Sequence, residues 1–321
     1  MRREFPIYQS HPQLVYLDNS ATSLTPQSVI DKMNDYYYNY RANINRGVYQ
    51  MSYQATDEYE NAREKIARFI NCDPREVIFT KSTTDGLNKV CYMYKNRLEK
   101  GDQVIVTQLE HHSSVLPWQV ASKELELTLT YIPLTSEGMI TAENFKKVIT
   151  NRAKVLAITY VSNVMGYISP LEEIIKIAHD HGMIVIVDAA QAIPHFRIDV
   201  RKLDCDFLAF SGHKMLGPTG IGVLYGKAEI LKTLKPVDFG GDMNEEVNLY
   251  DVQIKDIPHC FEAGTPAIAE AIGLGAAVDY LENLGYDNIA KHEHALHQYA
   301  LEKLTKISGI TIYNPKADIG V

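Results

Sequence analysis

Two stretches decide the fold: Met183-Ile184-Val185-Ile186-Val187-Asp188 and Phe207-Leu208-Ala209-Phe210-Ser211-Gly212-His213-Lys214. Each is apolar at odd and even positions alike, the pattern of a strand covered on both faces. Five further runs read the same way: Val77–Thr80, Val104–Thr107, Leu129–Ile132, Val155–Thr159 and Gly222–Tyr225. Helical patterns lie between them. In Pro170 to His181, Leu171, Ile174, Ile175 and Ala178 share one face and Gly182 stops the helix. The alternation predicts an α/β fold, a doubly wound, mostly parallel sheet with helices on both faces.

From Ala267 the chain turns helical, with helices predicted over Ala267–Leu284 and Tyr286–Ile307. Gly309–Tyr313 reads as a strand, Asn314–Asp318 as a turn and Ile319–Val321 as the start of a returning strand. The expected division is an N-terminal segment (1–13) packing with a small domain, a large domain (14–282), and the beginning of an incomplete α+β small domain (283–321).

Of 321 residues, 45% are hydrophobic and 22% charged, a globular balance. The net charge of −8 argues against a nucleic-acid surface. No apolar stretch reaches membrane-spanning length, and Met1–Pro6 lacks the apolar core of a signal peptide, so a cytoplasmic protein is expected. The four cysteines, Cys72, Cys91, Cys205 and Cys260, are too dispersed for a zinc site or a disulfide framework. Asp204 and Asp206 flank Cys205 and disfavour its thiolate.

Ligands of open α/β sheets bind at the carboxyl ends of strands, so the polar residues there are the candidates. Lys214 and Asp188 each follow a buried run. A lysine that forms a Schiff base and a carboxylate that keeps a ring nitrogen protonated suit an aldehyde cofactor, pyridoxal 5'-phosphate (PLP). Gln191 is placed to donate to the ring hydroxyl. Thr83 and Thr84, at a helix start, offer a phosphate cradle, or Thr84 or Asp85 simply caps that helix. Ser211 and His213 are within reach of the same phosphate. His111 suits stacking on a flat ring and carrying a proton. Asn163 could bond a cofactor oxygen or a substrate carboxylate, or turn the chain. The glycines of Gly217–Gly222 precede a strand, unlike a dinucleotide loop.

Several segments in one order resemble the class V aminotransferase group of fold-type I PLP enzymes, the SufS-type cysteine desulfurase and selenocysteine lyase branch most of all. They are Tyr16–Ala21, Glu110-His111-His112, Val161–Val164, Val187–Ala192, Leu203–Phe207, Ser211–Lys214, Gly217–Gly222 and Phe261–Pro266. The resemblance makes Lys214 the Schiff-base lysine, His111 the stacking histidine and Asp188 the pyridine partner. Thr84, Ser211 and His213 then hold the phosphate. Thr265 would reach the phosphate of a neighbouring subunit, which implies a homodimer.

For a complete enzyme the resemblance implies that Lys214 removes the α-proton of L-cysteine. A cysteine thiolate then takes the sulfur as a persulfide, leaving alanine, and passes it to a sulfur-acceptor protein for iron–sulfur cluster assembly. The family's nucleophilic cysteine and its substrate-carboxylate arginine would lie beyond Val321. Asn45 precedes Arg46-Gly47 where the family usually has histidine, and Tyr49 stands at another histidine position. Two alternatives stay open: a selenocysteine lyase or other class V lyase, and a catalytically dead paralogue serving as a dimerisation or binding subunit.

Overall fold

The computed structural model describes residues 2–313 and 316–320. All seven apolar runs form strands of one sheet: β1 (Val77–Thr80), β2 (Gln103–Thr107), β3 (Thr128–Ile132), β4 (Ala153–Thr159), β5 (Ile184–Asp188), β6 (Phe207–Ser211) and β7 (Gly222–Gly226). Their order is β1-β7-β6-β5-β4-β2-β3. β7 runs antiparallel to β1 and β6, and the other pairings are parallel.

Successive side chains of a strand serve opposite layers. Phe207 and Ala209 pack with the helices Thr83–Tyr94 and His112–Leu125, while Leu208 and Phe210 pack with Gln50–Phe69 and Ile268–Leu284. Each large side chain buried this way stabilises the fold by about 1.5–3 kcal/mol. Within this sheet the edge strand β3 is the most open, in keeping with its mixed sequence Thr128-Leu129-Thr130-Tyr131-Ile132. The helix Leu171–Asp180 buries Leu171, Ile174, Ile175 and Ala178 as expected, and Gly182 leaves it with φ +69°.

Two C-terminal helices form, Ile268–Leu284 and Tyr286–Leu304, parted by Gly285 at φ +79°. The first packs on Gln27–Asn39 and Gln50–Phe69. The second buries no residue and is tied down by the Tyr286 hydroxyl on the Ile193 carbonyl and by His195 against Glu293. No described helix is long and apolar enough to cross a membrane.

Two expectations fail. Gly309–Tyr313 forms no strand, because no neighbouring strand offers it a ladder. Ile319 does not return along it; its N–H donates to the Gly166 carbonyl, and Asp318 accepts from the Ile168 N–H. Asn314, Pro315 and Val321, parts of the expected turn and returning strand, lie outside the described residues. A hairpin of β8 (Asn244–Val247) and β9 (Val252–Ile254) also forms. Its short polar strands gave no apolar run to read.

Candidate active site

The strand ends and their loops enclose a cavity of about 350 Å³, within the size range of small-molecule sites. Lys214, Asp188, Gln191 and Ser211 line it, together with Thr83, Thr84, His111, Asn163 and His213. Thr265 is exposed and does not line it. Ser20, Ala21, Ser82, Ser113, Thr159, Val161 and Ala190 also line it, without having been singled out. A larger groove of about 560 Å³ lies among the helices Gln27–Asn39, Gln50–Phe69 and Ile268–Leu284. Its lysines are already paired, Lys32 with Glu58 at 2.9 Å and Lys65 with Asp279 at 2.5 Å.

Asp188 is the last residue of β5, 5% exposed, and accepts from the Ala190 N–H at 2.9 Å. Burial raises its pKa, while that N–H and the Lys214 and His111 charges pull it back. A carboxylate so placed calls for a cation. Lys214 follows β6 in a single turn of 3₁₀ helix. Burial lowers its pKa and Asp188 opposes the shift, which makes the neutral, nucleophilic amine easier to reach.

Thr83 and Ser211 line the same cavity as a hydrogen-bonded pair. The Ser211 hydroxyl is 2.7 Å from the Thr83 N–H and 2.7 Å from the Thr83 hydroxyl. Thr83 opens a 12-residue helix whose cap is Ser82, not Thr84 or Asp85. The Ser82 oxygen accepts from the Asp85 N–H, and Asp85 instead accepts from the Lys81 N–H. Thr84 therefore stays exposed in the first turn, where the positive end of the helix dipole favours an anion. Gly222 of β7 allows this turn to approach, since a Cβ there would stand 2.7 Å from the Ser82 backbone.

His111 caps the next helix, its Nδ1 accepting from the Ser113 N–H at 3.2 Å. The ring is exposed at the cavity. Gln191 gives an amide N–H to the Ser20 carbonyl at 2.7 Å, fastening the segment before Thr22 to the site, and has a second N–H to offer. The His213 carbonyl accepts from the Ser23 N–H and hydroxyl, and burial with the nearby Lys214 lowers the His213 pKa. Gly217–Gly222 runs straight into β7, as a dinucleotide loop would not.

These residues fit PLP. A buried acid without a strong cation partner faces a lysine with a depressed pKa, and a helix N-terminus with hydroxyls stands ready for a dianion. The cysteines offer no second chemistry. Burial pushes Cys91 up to about 12 and Cys260 up to about 11, and it raises Cys72 and Cys205 further.

Residues 15–319 match the aminotransferase class-V family. A probable cysteine desulfurase of Halalkalibacterium halodurans is 50% identical over 100% of this chain and 80% of its own length. The structure of a cysteine desulfurase from Thermococcus onnurineus aligns with a TM-score of 0.92 at 41% identity, covering 99% of this chain and 78% of that one. A cysteine desulfurase structure from Escherichia coli gives 0.91 at 37% identity, covering 99% and 79%. Family match, relatives and site chemistry agree: this chain belongs to the class-V aminotransferases, a family of PLP-dependent enzymes.

Proposed function

We propose that the chain carries the PLP centre of a cysteine desulfurase that takes L-cysteine. The observation that carries the reading is the convergence of Lys214 and Asp188 on one cavity that the hydrogen-bonded Thr83–Ser211 pair also lines. Similarity to cysteine desulfurases along almost the whole chain supports it.

Bound PLP supplies an aldehyde and an electron sink. Lys214 Nζ takes the α-proton of the substrate, and the burial that lowers its pKa favours the neutral amine that a base needs. Asp188 holds a proton on the pyridine nitrogen, and Gln191 donates to the ring hydroxyl. His111 covers one ring face. Thr83, Thr84, Ser211 and His213 hold the phosphate, while Asn163 faces the substrate side. Burial raises the pKa of all four cysteines, which disfavours the thiolate that a sulfur acceptor needs. A cysteine thiolate takes the substrate's sulfur as a persulfide while the C–S bond breaks and alanine leaves, and the persulfide sulfur then passes to an iron–sulfur assembly partner.

A homodimer completes each site with Thr265 of the neighbouring subunit. Exposed Val48, Tyr49 and Tyr53 support a covered surface near residue 50. Adding L-cysteine to PLP-loaded protein tests the reading. The expected result is a change in visible absorbance; an unchanged spectrum at saturating cysteine would overturn it.

A further inference from the structure

The ladder between β2 and β4 stops early. Its register runs Gln103↔Ala153, Val104↔Val155 and Ile105↔Leu156, although β2 continues to Thr107 and β4 to Thr159. Each strand stays paired with its other neighbour to the end, through Thr107↔Ile132 and Thr159↔Asp188. The winding also reverses here, β2 leading to β3 on one side and β4 to β5 and β6 on the other. An open α/β sheet binds ligands at such a reversal. His111 and Asn163, on the two loops that leave it, both line the cavity.

Glu110 bridges the opening. Its Oε1 accepts from the Thr107 hydroxyl at 2.7 Å and from the Thr159 N–H at 2.7 Å. Thr159 is 5% exposed, so an N–H released by the shortened ladder needs an acceptor. Glu110 as a residue keeps some exposure, but its Oε2 is sealed from solvent without a hydrogen-bond partner. The Ser114 hydroxyl is equally sealed and unpartnered. It lies close enough to favour the charged form of Glu110, yet outside hydrogen-bonding geometry. Glu110 itself does not line the cavity.

We propose that Glu110 is a positioning residue of the PLP site, a clasp that closes the β2–β4 opening and fixes the separation of His111 and Asn163. It acts through Thr159 on one strand and through its neighbour His111 on the other, without touching the cofactor. The clasp works as a neutral acid. Burial pushes its pKa up to about 8, against the pull of the Thr107 hydroxyl and the Thr159 N–H. The charge that faces it is Asp188 on β5, which raises it too; Asp188 in turn feels Lys214 after β6 and His111. Neutrality keeps a second negative charge away from the acid that must hold the ring nitrogen.

The folded pKa lies above the unfolded one, so the native chain holds a proton that the unfolded chain releases. Stability from this group is full below the unfolded pKa of 4.5 and is lost as pH rises to about 8. Glu110→Gln keeps the shape, the Oε1 acceptor and the neutral state, and removes that dependence.

The test is PLP titration by visible absorbance, with thermal melting of the PLP-free protein, for wild type, Glu110→Gln, Glu110→Ala and Thr107→Val. Glu110→Gln should bind PLP like wild type, and its melting advantage should widen from about pH 5 to about pH 8. Glu110→Ala should bind about tenfold more weakly or worse, and Thr107→Val, which removes the donor to Glu110 and the acceptor of the Leu109 N–H at little change in volume, about fivefold more weakly. The Gln and Val arms decide the matter even if the Ala variant does not fold. Three results would overturn the clasp: Gln no better than Ala, a melting difference flat in pH, or Thr107→Val at wild-type affinity. The proposal rests on the PLP reading. The melting arm needs no PLP, so a flat difference there counts against the clasp alone, and a wild type that binds no PLP counts against the cofactor.

Discussion

The Ser211 hydroxyl lies 2.7 Å from both the N–H and the hydroxyl of Thr83, joining the ends of β6 and β1 across 128 residues of chain. β7 separates these strands in the sheet, and Gly222 gives the Ser82–Thr83 turn room to rest on it. In Ser211→Ala the buried Thr83 N–H loses its acceptor, a loss of about 1–3 kcal/mol. The same change loosens the phosphate wall. Wild-type protein should prefer PLP to phosphate-free pyridoxal, and Ser211→Ala should lose most of that preference. Competition between the two ligands measures it, and an unchanged preference would remove Ser211 from the phosphate site.

Asp188→Asn should act in opposite directions on stability and on binding. The acid's raised pKa means that burial opposes its charge, so its stabilisation fades as pH rises through the folded value. Without PLP, the Asn variant should melt higher than wild type at pH 8, and the difference should shrink toward acid pH. With PLP it should bind roughly 10- to 100-fold more weakly, for want of a hydrogen bond to a charged group worth about 1.5–3 kcal/mol. Calorimetry and absorbance titration read the two effects, and a lower apo melt would contradict the burial argument.

Arg63 and Glu262 form a buried pair, at 2.7 and 2.9 Å between guanidinium and carboxylate. Glu262 also accepts from the Phe79 N–H at 2.7 Å, and Arg63 donates to the Val77 carbonyl. The pair thus ties the loop before Thr265 to β1. Removing Glu262 strips the buried Phe79 N–H of its acceptor and leaves Arg63 only the Glu60 carboxylate, at 2.8 Å on its own helix, so Glu262→Ala should cost about 1–3 kcal/mol or more in urea unfolding. A loss under about 1 kcal/mol would place the pair in the class of weak surface bridges.

The four thiols, three buried and Cys72 half-buried, should be slow to react. Native protein at pH 8 should react slowly with iodoacetamide at each, and denatured protein rapidly at all four. The PLP-loaded chain should release no sulfide from L-cysteine. One fast-reacting cysteine in the native state, or sulfide release abolished by Lys214→Ala, would contradict this.

The sheet was legible because its strands are covered on both faces, which leaves runs such as Val185–Val187 without polar interruption. Lys214 and Asp188 were legible for the same reason, since a charge closing an apolar run stands out. Arg63 and Glu110 were not. Charged residues are almost always solvent-facing, and only three-dimensional partners, Glu262 for one and the Thr159 N–H for the other, reveal that Arg63 is buried and that the Glu110 carboxyl is turned inward. The β8–β9 hairpin escaped because Asn244-Glu245-Glu246-Val247 carries no core-facing pattern. Gly309–Tyr313 misled in the opposite sense, for its β-branched residues favour a strand that only a partner could stabilise.

The central claim is that Lys214 is the residue that joins PLP. Borohydride reduction of PLP-loaded protein, followed by peptide mapping, tests it most directly. The expected result is one pyridoxyl group on Lys214 and none in Lys214→Ala. A label on another lysine, or no label on protein that has taken up PLP, would contradict the account.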